Sequence, residues 1–175
     1  MNAERTQRIF AVNVTGSFLC AREAVKRMST KYGGKGGSIV NLSSGAAKYG
    51  SPGEYVDYAA SKAAIDTLTI GLAREVAEEG IRVNAVRPGF IDTEIHQSVG
   101  ELDRMERVRP LVPMKRVGQA DEVADAIMWL LSDKASYTTG TILDVLSLIH
   151  ISEPTRPERS AGGGVGGEKK EGGGG

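Results

Sequence analysis

Tyr58 and Lys62 stand four residues apart in the stretch DYAASKAAIDTLTIGLAREVAEEG, residues 57–80. That spacing puts two side chains on one face of a helix, with Cβ atoms about 6 Å apart. A lysine ammonium at that distance favours the tyrosinate, and so does the positive end of the helix dipole. The phenol is thereby equipped to give or take a proton as a general acid or base. A second hydroxyl, Ser44, closes the run SIVNLSS at 38–44 and could hydrogen-bond a substrate oxygen where Tyr58 exchanges its proton. Taken alone, a Tyr-x-x-x-Lys pair is an ordinary surface pair, and a serine before glycine and alanines is an ordinary turn residue. Their convergence is what argues for chemistry.

The elements that must position these residues follow from periodicity. After Tyr58, Ile65, Leu68, Leu72 and Val76 recur at spacings of three and four, which predicts one buried stripe on a helix. Gly80 supplies its left-handed stop. Residues 4–28 read as another helix, with Val14, Phe18, Ala21, Val25 and Met28 on one face, ended by YGGKGG. The β-branched run at 38–44 predicts a buried strand, and IRVNAVRPG at 81–89 a second, closed by Pro88 and Gly89. Residues 92–118 are polar and irregular, too long for an ordinary connection. A third helix at 120–133 carries acidic residues in its first turn, and a third strand covers 139–145. Strands alternating with helices imply right-handed crossovers and a doubly wound α/β fold with a parallel sheet. In such sheets the ligand crevice lies beyond the carboxyl ends of the strands. Ser43 and Ser44, the RPGFIDT segment, and the Tyr58–Lys62 helix mouth are all placed at that edge.

The stretches NVTGSFLC, GGSIVNLSS, YVDYAASKAAIDTLTIGLAREVAEEGIRVNAVRPGFIDTEIH and VADAIMWLLSDKASYTTGTILDV resemble the short-chain dehydrogenase/reductase family over residues 4–145. The resemblance implies a Rossmann-type fold and hydride transfer between NAD or NADP and an alcohol or carbonyl. It implies that Tyr58 is the acid/base and that Lys62 assists it while binding the nicotinamide ribose. It makes Ser44 the serine that orients the carbonyl, with Ser43 a weaker candidate, and Asn13 the helix asparagine that holds a relay water. Read by propensity alone, Asn13 lies in a poor helical stretch, VNVTG, and is a solvated helix residue. With Tyr58 and Lys62, the segment holding Pro88, Gly89, Ile91 and Thr93 forms the implied cofactor-binding set, the Ile91 backbone meeting the carboxamide. Read without the resemblance, Pro88 and Gly89 are a turn and Thr93 a helix cap. Asn84, inside a strand, is expected to satisfy internal polar groups. The family also commonly pairs its long helices across subunits, so a homo-dimer or homo-tetramer is expected of the complete protein.

Two departures qualify the likeness. No glycine-rich strand–turn–helix precedes Asn13, although the family seats the pyrophosphate at such a turn. The residue that would choose between NAD and NADP is absent with it. The chain is therefore expected to be the C-terminal half of the fold, with an apolar strand edge left open. Expressed as written, it is expected to bind cofactor poorly and to be inactive as a dehydrogenase. The second departure is the C-terminal tail, residues 146–175, set apart from the domain at 1–145. Residues 162–175 contain nine glycines, Pro154 and Pro157 stand before them, and no periodicity survives, which predicts disorder. SLIHISEPTRP resembles the translated product of a sequencing adapter, so this tail is expected to be non-native. A real flexible linker is the alternative.

Composition sets the remaining bounds. Lys and Arg number 22, as do Asp and Glu, for a formal net charge of zero, so no basic stripe points to nucleic acid or an anionic membrane. The single cysteine, Cys20, excludes a disulfide framework and fits a reducing, cytoplasmic setting. No long apolar run or leader is visible. His96 and His150 have no metal-ligand spacing to a partner, although His96 falls in the segment expected to touch substrate. Besides an oxidoreductase, two readings stand: a fragment or non-catalytic binding module, and acyl transfer by Ser44. The last lacks a Gly-x-Ser-x-Gly elbow and a histidine placed as base.

Overall fold

A computed structural model describes residues 2–93 and 104–147. Two helices, α1 (Ala3–Phe10) and α2 (Gly16–Met28), open the chain, and strand β1 (Gly37–Leu42) follows. A short helix α3 (Ala46–Tyr49) leads to the long helix α4 (Val56–Val76) and then strand β2 (Ile81–Pro88). The remaining elements are β3 (Ile91–Asp92), α5 (Arg104–Val108), β4 (Gly118–Gln119), α6 (Ala120–Leu131) and β5 (Ile142–Val145). Strands β1, β2 and β5 pair in that order, all parallel. This is the α/β architecture with a parallel sheet that the alternation of elements implied.

β2 is the central strand, and its pleat sorts its side chains between two layers. Ile81 and Val83 pack with Ala73 and Val76 of α4, joined by Val25, Met28 and Leu72. Val86 turns to the other face and packs with Val123 and Leu130 of α6. All of these β2 side chains are buried, and each contributes about 1.5–3 kcal/mol relative to exposure. Asn84, fully buried between them, donates to the Thr138 carbonyl and accepts from the Thr141 N–H at 2.9 and 3.1 Å. It satisfies internal polar groups, as its place in a strand suggested. Arg82 reaches across β2 to the Leu130 and Ser132 carbonyls at 2.8 and 3.1 Å, neutralising the partial negative charge where α6 ends.

Several expectations need correcting. The helix over 4–28 is not continuous: Ala11–Thr15 form a π turn between α1 and α2. Phe18 does not share the buried face: it is 51% exposed and lines a groove between α2 and α4. Leu68 is only half-buried and lines a groove towards α2 instead of the sheet. The three strands stop or start short of their predicted bounds, at Leu42, Pro88 and Ile142. Within 92–118, the described residues hold β3, α5 and β4, with β3 and β4 pairing parallel through Ile91 and Gly118. Gly80 closes the 3-10 turn Ala77–Glu79 that follows α4, in a left-handed conformation with φ of 77°. A side chain on Gly36 would strike the Gly80 carbonyl, its Cβ landing 2.4 Å from that oxygen, so β1 and β2 can start side by side only with glycine there. No helix of the described residues is long and apolar enough to cross a membrane. His96, His150 and the tail beyond Ser147 lie outside the described residues.

Candidate active site

Helix α4 begins beside the carboxyl end of β1, and this junction brings the candidate residues together. Tyr58 sits half-buried in the first turn of α4. Lys62 extends back along the same face until its Nζ lies 5.7 Å from the centre of the Tyr58 ring. There the ammonium donates to the carbonyl of Leu42, the last residue of β1, at 2.8 Å. Burial pushes the Lys62 ammonium below the usual lysine range, and the negative charge of Asp66 opposes that shift. One hydrogen bond leaves two ammonium N–H groups for a ligand.

The two serines after β1 take different roles. Ser43 is buried; its N–H donates to the Val86 carbonyl at 2.8 Å and its hydroxyl to the Lys62 carbonyl at 3.2 Å. It extends the β1–β2 ladder and ties it to α4. Ser44 is half-buried, and its Oγ accepts the Ala46 N–H at 3.1 Å. Among the described residues its own proton has no acceptor, so Ser44 is the serine left able to donate.

Asn13 reaches the same helix from the other side. It lies in the π turn, and its Nδ2 donates to Ser61 Oγ at 3.0 Å. Ser61, fully buried, donates in turn to the Tyr58 carbonyl at 2.7 Å. The Asn13 carbonyl accepts from Ser17 Oγ at 2.7 Å. Asn13 is therefore no solvated helix residue: it is coupled to the backbone of Tyr58 through one hydroxyl. A second tie lies nearby, where Arg5 of α1 pairs with the buried Asp57 at 3.0 Å. Asp57 Oδ1 accepts the Tyr58 N–H at 2.9 Å. Its negative charge also suits the first turn of a helix.

The RPGF segment completes the edge. The Pro88 carbonyl accepts from the Gly45 N–H at 2.9 Å, which joins the end of β2 to the residue after Ser44. The Gly89 N–H donates to the Val145 carbonyl at 3.0 Å. Ile91 packs its side chain on the α6 side of the core, while the Gly118 N–H takes the Phe90 carbonyl, one residue short of Ile91. Thr93 follows β3 directly and is half-buried. A cavity of about 200 Å³ opens beside this segment, lined by Phe90, Ile91, Met114, Val145 and Leu146 among others. A larger concavity, about 840 Å³, is the groove between α2 and α4, and neither Tyr58 nor Ser44 lines it. No group of three or more His, Cys, Asp or Glu side chains among the described residues is placed to hold a metal.

A family model described as enoyl-(acyl carrier protein) reductase matches residues 1–146. The chain belongs to the short-chain dehydrogenase/reductase family. It is 66% identical over 145 residues to the uncharacterized oxidoreductase YgfF of Escherichia coli, a match covering 83% of this chain and 59% of that protein. It is 39% identical to the 3-oxoacyl-(acyl-carrier-protein) reductase FabG of Thermotoga maritima, over 83% of this chain and 57% of that protein. Among solved structures, acetoin dehydrogenase YohF from Salmonella typhimurium shares 37% identity at a TM-score of 0.70, covering 83% of this chain and 55% of that one. The chain thus spans between half and two thirds of the length of these dehydrogenase/reductase relatives.

Sequence reasoning missed the residues that hold the family's Tyr-x-x-x-Lys pair in place. Ser61, one residue before Lys62, and Asp66, one turn after it, were both legible as polar positions on a buried helix. Arg5 and Arg87, their surroundings' cations, lie far off in sequence and gave no sign.

Proposed function

We propose that this chain carries the nicotinamide side of an oxidoreductase site that transfers a hydride between NAD or NADP and an alcohol or carbonyl. One observation carries the reading: Lys62 reaches back to the carboxyl end of β1, where its ammonium bonds the Leu42 carbonyl beside the Tyr58 ring, two residues before Ser44. When bound, the cofactor supplies or accepts the hydride. Ser44 donates its free proton to the substrate oxygen and fixes where that oxygen sits. Tyr58 delivers a proton to that oxygen in reduction and removes it in oxidation. The two uncommitted N–H groups of Lys62 suit vicinal ribose hydroxyls, and the donor set of this edge therefore fits a nicotinamide ribose. Pro88, Gly89, Ile91 and Thr93 flank it as the wall for the nicotinamide. Asn13, through Ser61, keeps the Tyr58 backbone in register, and its place beside the π turn suits a role in relaying the proton.

The test is Tyr58→Phe in a complete domain carrying residues 1–145. Turnover of a small carbonyl–alcohol pair should fall by about 10²–10⁴-fold while nucleotide affinity stays nearly unchanged, since only the proton-transfer group is lost. Activity within tenfold of the parent would overturn the assignment.

A further inference from the structure

A lysine packed between a strand end and a helix tends to shed its proton, because burial penalises the charged form. Something must oppose this if Lys62 is to stay cationic. Asp66 lies one turn further along α4 and is 7% exposed. Four-residue spacing puts its Cβ about 6 Å from that of Lys62. The carboxylate is used unevenly. Its Oδ2 accepts both the Nε–H and an Nη–H of Arg87, at 3.0 and 2.7 Å. Its Oδ1 is buried and accepts no hydrogen bond within the described residues. Arg87 also lies 3.5 Å from Asp144, which pairs with Lys48 at 3.1 Å. Charges of alternating sign thus run from α4 through β2 and β5 to α3, starting one turn from Lys62.

Among the described residues, the other groups around Lys62 offer no comparable charge. On α4 it faces the Tyr58 ring, and on β1 the neutral Leu42 carbonyl. The π turn contributes Asn13 to Ser61, a neutral contact. At the head of α4, Asp57 is already matched by Arg5. That leaves Asp66, buried and one turn away on the same helix, as the carboxylate near enough to act on the ammonium.

We propose that Asp66 is a positioning residue for Lys62: fixed by Arg87, its carboxylate keeps the ammonium charged and seated between the Leu42 carbonyl and the Tyr58 ring. The proposal rests on the reading of Lys62 as the partner of Tyr58, yet its test does not need turnover. An ion pair that only fastened β2 to α4 would have the same static geometry. It differs in what happens to Lys62 when each partner is removed.

The chain is reductively methylated with ¹³C-formaldehyde, the Lys62 resonance is identified with Lys62→Arg, and its titration is followed by NMR. Asp66→Asn should shift the Lys62 midpoint down, and Arg87→Gln should shift it up by leaving the carboxylate uncompensated. Asp66→Glu should restore the parent value. Shifts of the same sign in both variants, or none, would overturn the proposal. Should circular dichroism show one variant unfolded, the other decides: a Lys62 midpoint moved down in Asp66→Asn or up in Arg87→Gln supports the coupling, and an unmoved midpoint refutes it. Full turnover in Tyr58→Phe would defeat the hydride-transfer reading and leave these titrations standing.

Discussion

At Lys62 two effects oppose each other, and their order has a consequence for stability. Burial is the larger influence and lowers the proton affinity of the ammonium below its ordinary value of 10.5, while Asp66 works in the other direction. A group whose folded value is depressed favours the neutral form on folding, so a charged Lys62 opposes folding at all pH values below the folded midpoint. That penalty is relieved as pH rises from the folded midpoint to 10.5 and is absent above it. Lys62→Met should therefore melt higher than the parent at neutral pH, and the gap should narrow through the alkaline range. Thermal melts at a series of pH values would show this, and a gap that widens upward would contradict it. This candidate site residue keeps its charge at the expense of stability, a cost that functional side chains commonly carry. Ser44 presents the milder case, since its Oγ accepts the Ala46 N–H and so stabilises the local turn.

Among the elements, the π turn at Ala11–Thr15 is the one most tied to the site. π turns are rare and favour functional positions. This one sets Asn13 against Ser61, and removing the donor takes away the hydrogen bond that the buried Ser61 oxygen accepts, while its own proton stays on the Tyr58 carbonyl. Asn13→Ala should cost about 1–2 kcal/mol in chemical denaturation, with a larger loss of turnover than of nucleotide affinity. Unchanged stability would break the proposed link. The long elements were legible beforehand because their signals are local. Apolar periodicity and Gly80 marked α4, and a β-branched run ending in Pro88 marked β2. The π turn was not legible, because shifting a helical hydrogen bond by one residue needs no particular side chain. Nor were β3 and β4, since two-residue strands carry no period. Tyr58, Lys62 and Ser44 could be found from spacing and from the family likeness. The Asp66–Arg87 pair could not, because nothing in a linear sequence says which strand arginine lies under which helix carboxylate.

For the whole molecule, the groove of about 840 Å³ between α2 and α4 is the surface expected to pair subunits. Phe18 and Tyr32 are exposed on it, and Leu68 and Leu72 line its floor beside Arg22, Lys26, Glu75 and Glu79. An apolar trough rimmed by both signs of charge suits self-pairing about a two-fold axis. The complete protein is expected to be a dimer or tetramer, and Phe18→Glu to shift it towards monomer. Light scattering at micromolar concentration checks both, and a monomeric parent would count against the groove. The central position of β2 has a kinetic consequence as well. Its carbonyls take the N–H groups of Ser43 and Gly45, while Gly140 and Ala85 tie it to the segment before β5. Deuterium should enter its amides at 83–86 last of all, because exposing them requires opening both helical layers at once. Ser44 is tied to that strand on both sides, through the Ser43 and Gly45 N–H groups, so partial unfolding that spares β2 should spare the turn that carries it. Loss of the β2 amides and loss of the Ser44 turn should therefore be a single event in time, with no long-lived state in which the sheet is whole and that turn dissolved.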